Sequence, residues 1–186
     1  MAQAKILLDS NAYFRLAKNI HPLLDTPFGG AHHCLYVLKE LDDEFERNKR
    51  LKTQFIWVNE DEFVSNRQKR LALSRKDRKA IKLSVDFLRQ HKIDNELGVS
   101  RVDILCLTYG HVLNIPVVTD DGDMLVLAKD FDIQTMKTLE LMRLMHDCDH
   151  IKMAKVRQVV GYWKYISDKP AGFKEDYIRL FKEKPT

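Results

Sequence analysis

Two short apolar runs in this sequence end in acids: Lys5-Ile-Leu-Leu-Asp9 and Ile115-Pro-Val-Val-Thr119-Asp120-Asp121. Runs of this kind predict buried strands. When such strands lie parallel, their carboxyl ends share one edge of the sheet, where ligands bind in open α/β folds. Two further acids sit where helices can carry them to that edge. Glu40 follows Leu35 and Leu38 at the margin of an apolar face, and Asp103 opens a helix behind Ser100. Four carboxylates in one pocket repel each other unless a cation compensates or one of them takes up a proton. All-oxygen ligation suits Mg²⁺ or Mn²⁺. Such an ion can activate water and clamp a phosphate.

Each acid also has a purely structural reading. Asp9 can cap a helix after its strand. Glu40 belongs to the acidic run Glu40-Leu-Asp-Asp-Glu-Phe-Glu46, in which Asp42 points more to solvent and Asp43 and Glu44 are intermediate. Asp103 completes a capping box with Ser100. Thr119-Asp-Asp-Gly-Asp123 is a good tight turn. Order and spacing together, rather than any one residue, speak for a site.

Strands are predicted at 5–9, 54–58 and 115–119, with a short fourth at 131–134. Helices are predicted from Ser10 to about Lys18, Cys34 to about Asn48, 60–72, Ser74 to about Gln90, and Ser100 to about Leu113. From Met136 to Phe181 the pattern is helical, with breaks near His150 and at Lys169-Pro170. Strands alternating with helices imply an α/β fold with a mostly parallel sheet covered on both faces.

The order of the acids resembles the PIN-domain nucleases, across roughly residues 4–136. The matching segments are Ile6-Leu-Leu-Asp9-Ser10, Tyr36-Val-Leu-Lys-Glu40-Leu-Asp42, Gly98-Val-Ser-Arg-Val-Asp103-Ile-Leu105 and Ile115-Pro-Val-Val-Thr119-Asp-Asp121-Gly-Asp123. The last of these is the most specific. Cys106, Thr108 and Gly110 stand where family members often carry alanines. The resemblance implies a PIN-like three-layer α/β/α sandwich with four to five strands over residues 1–136, and a helical extension over 137–186. It implies a Mg²⁺- or Mn²⁺-dependent ribonuclease leaving 5′-phosphate and 3′-hydroxyl ends. Asp9, Glu40, Asp103 and Asp121 match the catalytic, metal-binding acids, Thr119 and Ser10 the supporting hydroxyls, and Asp123 an additional acid. Asp120 falls in the variable position. Many small relatives are toxins held by an antitoxin-like protein inhibitor, and others process RNA. A flap-type DNA nuclease and a catalytically dead PIN-like scaffold for RNA or protein are the alternatives. A receiver domain is disfavoured, because Asp9 stands alone and no late strand is followed by a suitable lysine.

The chain has 186 residues and a net charge of +4. Its charge is segregated, about +8 over Ser65–Lys92 and −7 over Ile93–Ile151. Such blocks can gather a cation in one place and a polyanion in another. Arg67, Lys69, Arg70 and Arg75 are therefore candidates for holding an RNA backbone, with Lys76, Arg78, Lys79 and Lys82 following on the next helix. Three widely spaced cysteines disfavour a disulfide scaffold and fit a reducing, cytoplasmic setting. No run reaches the length of a membrane span, and the acid at position 9 is foreign to a secretory signal. His146, Cys148 and His150 form a weak zinc candidate without the usual spacing. The stripe Val156, Val159 or Val160, Trp163 and Ile166 suits packing on the domain or on a second copy in a homodimer.

Overall fold

The computed structural model describes residues 3–185. Four parallel strands are laid out in the order β2-β1-β3-β4: β1 (Lys5–Leu8), β2 (Cys34–Tyr36), β3 (Val117–Val118) and β4 (Thr135–Met136). Leu7 lies opposite both Tyr36 and Val117, and Leu8 opposite Val118. Val118 in turn faces Met136. This register makes Asp9 the neighbour of Thr119 at one sheet edge, with the Asp9 amide donating to Val118 O at 3.0 Å.

Among the described residues ten helices surround the sheet: α1 (Ser10–Leu16), α2 (Glu40–Arg47), α3 (Lys49–Gln54), α4 (Asp61–Arg67), α5 (Arg75–Asp94), α6 (Arg101–Leu113), α7 (Gly122–Asp130), α8 (Thr138–Asp147), α9 (Met153–Tyr165) and α10 (Phe173–Phe181). Strand side chains alternate between faces, and two separate apolar clusters follow. Ile6, Leu8 and Val118 pack with α1, with Leu41 and Phe45 of α2, and with α8–α10. Leu7, Cys34, Tyr36 and Val117 pack with α5, α6 and α7. The result is an α/β architecture compatible with three layers.

The expected strand at 54–58 is not formed. Ile56–Asn59 is a 3-10 turn whose Trp57 and Val58 are buried against Tyr13 and Phe63. The second strand is instead Cys34–Tyr36, the beginning of what periodicity reads as a helix. Both segments are short and apolar, so only pairing with Lys5–Leu7 separates them. The fourth strand is Thr135–Met136, just beyond the expected 131–134.

The expected breaks in the C-terminal helices fall between α8 and α9 and between α9 and α10. These helices join the core of β1 and α1. Fully buried Trp163 donates its indole N–H to Arg15 O at 2.8 Å. Arg15 reaches Asp168 and Asp120, each at 2.8 Å. Asp120 also accepts from both the amide and the hydroxyl of Thr138. Asp120 is thus a structural tie between the end of β3 and the C-terminal helices.

Gly110 marks the close approach of α6 to β3. A Cβ there would lie 2.4 Å from Val117 Cγ2, so the bare backbone lets α6 lie close on β3.

Candidate active site

Asp9 ends β1 and caps α1. Its Oδ1 accepts from the Ala12 amide at 2.6 Å, satisfying one of the first-turn donors. Its Oδ2 is buried with no hydrogen-bond partner. Burial raises the Asp9 carboxyl to about 7, and the charges of Asp120 and Asp103 push the same way, against the nearby Thr119 hydroxyl and the Ala12 amide.

Asp103 reaches this cleft from the first turn of α6, where its Oδ2 accepts from the Ser100 amide at 2.9 Å and Ser100 Oγ accepts from the Asp103 amide. Asp9, Ser10, Leu38, Leu41, Val102, Asp103 and Cys106 line one small hollow. A third acid arrives from α2. Ser10 Oγ donates to Glu44 Oε2 at 2.5 Å, and burial together with the Asp103 charge holds Glu44 above the usual carboxylate range. Cys106 registers all three acids. Burial first, then Asp9, Asp103 and Glu44, hold its thiol well above its ordinary value.

Glu44 is thus the α2 acid that meets Ser10 beside Asp9. Glu40 lies one helical turn earlier, lining a hollow with Leu38, Arg70, Leu71 and Tyr109, whose hydroxyl is raised by burial first and then by the Glu40 charge. Its Oε2, like Asp9 Oδ2, is buried and without a hydrogen-bond partner. The two glutamates are four apart, so they share a helix face. Sequence spacing alone does not tell which of them meets Ser10.

The β3–α7 turn carries the remaining acids. Asp121 caps α7, its Oδ1 accepting from the Met124 amide at 2.8 Å, and its own amide donates to Thr119 Oγ1 at 3.1 Å. Asp123 Oδ2 accepts from the Gly98 amide at 2.7 Å, which ties this turn to the entry of α6. A side chain at Gly98 would meet that same oxygen at 2.7 Å. Asp121 and Asp123 are both exposed, whereas Thr119 is fully buried.

Among the described residues, no three His, Cys, Asp or Glu side chains stand together as a ready ligand set for a metal ion. The donors are of the type a hard cation takes, and Asp9 Oδ2 and Glu40 Oε2 are buried oxygens without other partners. Their spacing, with the side chains in these positions, does not close around one ion. His146, Cys148 and His150 form no such set either. His146 is within 3.1 Å of Ile151 O through Nδ1, and His150 stacks on Phe28.

The basic candidates divide. Arg67 is buried, donating to Asp42, to the Tyr13 hydroxyl and to Val58 O, so it braces the core instead of meeting a ligand. Lys69 pairs with Asp25 and Arg70 with Asp42. Arg75, Lys76, Arg78, Lys79 and Lys82 are exposed on α5. No helix among the described residues is long and apolar enough to cross a membrane. Compared with protein-family models and with curated proteins, the chain matches none.

Proposed function

We propose that this chain is a PIN-like, metal-dependent phosphodiesterase that cuts RNA, its chemistry centred on Asp9. The observation that carries this reading is the buried, unpartnered Oδ2 of Asp9 at the carboxyl end of a central strand, with Asp103 and Asp120 near enough to raise its carboxyl. A carboxylate so placed is relieved by a cation. Asp9, Asp103 and Asp121, with Glu40 or Glu44 from α2, are the residues that would hold Mg²⁺ or Mn²⁺. Bound there, the ion supplies charge neutralisation and Lewis-acid activation of a phosphate ester and of water.

The chain's own residues set the stage. Ser10 orients Glu44, Thr119 holds the amide of Asp121, and Asp123 fixes the α6 entry beside Asp103. A toxin role, with an antitoxin-like inhibitor over the cleft, belongs to the same reading.

A second reading is a PIN-like scaffold that binds without cutting. The lack of a three-acid ligand set among the described residues favours it. One experiment separates the two: total RNA incubated with the protein in Mg²⁺, Mn²⁺ or EDTA, alongside Asp103→Asn and Asp121→Asn. Hydrolysis requires cleavage that EDTA stops and that both variants lose while keeping their fold. Full activity in both variants ends the assignment.

A further inference from the structure

Some surface cations of this molecule are held by carboxylates and others are not. Lys52, Lys69, Arg70, Lys137, Arg143, Arg157 and Arg179 each pair with a carboxylate. Among the exposed cations in no ion pair of the described residues, which include Arg75, Lys76, Arg78, Lys79 and Lys82 on α5, five are Lys39, Arg47, Lys49, Arg50 and Arg101. All five line a single hollow of about 770 Å³ between α2–α3 and the outer face of α6. Half-buried Val102 and Leu105 also line it. The hollow includes Glu40 and Glu44, so it runs to the acidic cleft, and Val102 lines both. Beyond Arg101 and Leu105 it continues into a second hollow that carries Arg89 and Lys92.

We infer that this groove between α2–α3 and α6, rather than the exposed basic half of α5, is the track for the sugar–phosphate backbone of a single-stranded nucleic acid. The inference rests on the reading of the acids as a phosphodiesterase site and adds where its substrate lies. Unpaired cations along a concave track neutralise successive phosphates and release their counterions. The side-chain carbons of Val102 and Leu105 offer apolar surface to the base faces that a single strand exposes and a duplex hides. The track leads a phosphate to Asp9, Asp103 and Glu44.

The test is fluorescence anisotropy on the full chain with a labelled single-stranded RNA oligonucleotide, in EDTA so that cutting plays no part, across a salt series. Each phosphate contact adds about 0.7 to the slope of log affinity against log salt. The variant Arg47→Gln/Lys49→Gln/Arg101→Gln should lower that slope by about 2 and weaken binding on the order of 100-fold near 50 mM salt. Arg101→Gln alone should lower it by about 0.7. Lys76→Gln/Lys79→Gln/Lys82→Gln on α5 removes the same charge and should leave the slope nearly unchanged. The duplex of the same sequence should bind more weakly. The groove is refuted by an unaltered slope in the groove variants, by a larger loss in the α5 variant, or by polyglutamate displacing the RNA at equal charge concentration. RNA that binds with the expected slopes but is left intact in Mg²⁺ would overturn the nuclease reading and keep the groove.

Discussion

Replacing Asp9 by asparagine removes the one buried acid whose ionisation the fold resists most plainly. Its carboxyl moves from an ordinary 3.8 to about 7, chiefly through burial. At about 1.4 kcal/mol per pH unit, the ionised form is disfavoured in the folded state by about 4 kcal/mol. Between these two values the folded chain keeps a proton that the unfolded chain has lost, so stability falls as pH rises through that window. Below it both states are protonated, and above it both are ionised. Asparagine keeps an oxygen for the Ala12 amide and carries no charge. The stability difference, Asp9→Asn minus wild type, should therefore grow by about 3 kcal/mol between roughly pH 5 and pH 8. For a chain of this size that is about 6–12 °C in Tm. Calorimetry of the two proteins across this range measures it, with shared carboxylates cancelling in the difference. At the alkaline end, Mg²⁺ or Mn²⁺ should raise the wild-type Tm and leave the variant unmoved. A difference that stays flat with pH would show that Asp9 is solvated or already compensated, and the argument for a cation there would fail.

Three other outcomes follow from the packing. Arg67→Gln should lose about 1–3 kcal/mol, because the buried Tyr13 hydroxyl and Val58 O lose a charged donor while half-exposed Asp42 keeps Arg70. Its RNA salt slope should match wild type, which chemical denaturation and anisotropy check together. Gly110→Ala should destabilise by about 1–3 kcal/mol despite alanine's better helix propensity, since its Cβ overlaps Val117. A rise in the denaturation midpoint would contradict the close α6–β3 approach. Arg15→Leu leaves Asp120 and Asp168 without their shared guanidinium. It should cost about 3–5 kcal/mol and loosen α9–α10, read as faster amide exchange around Trp163.

Local signals were legible in the sequence wherever the physics is local. Ser74 with Asp77 and Ser100 with Asp103 form the capping boxes that their spacing predicts. The apolar runs that end at Asp9 and Thr119 became adjacent parallel strands, because strands buried on both faces need continuous apolar sequence. Tertiary structure alone decided the rest. Cys34–Tyr36 became a strand through its pairing with β1, while the similar run at 54–58 turned into the core beside Tyr13. Glu44 rather than Glu40 met Ser10, a matter of how α2 sits against α1. Arg67 left the basic block for the interior because Asp42, 25 residues away, was there to receive it. Arg15 found Asp168 across 153 residues. Caps and periodicity are written within a few residues, whereas the partner of a charge is set by which surfaces the folded chain brings together.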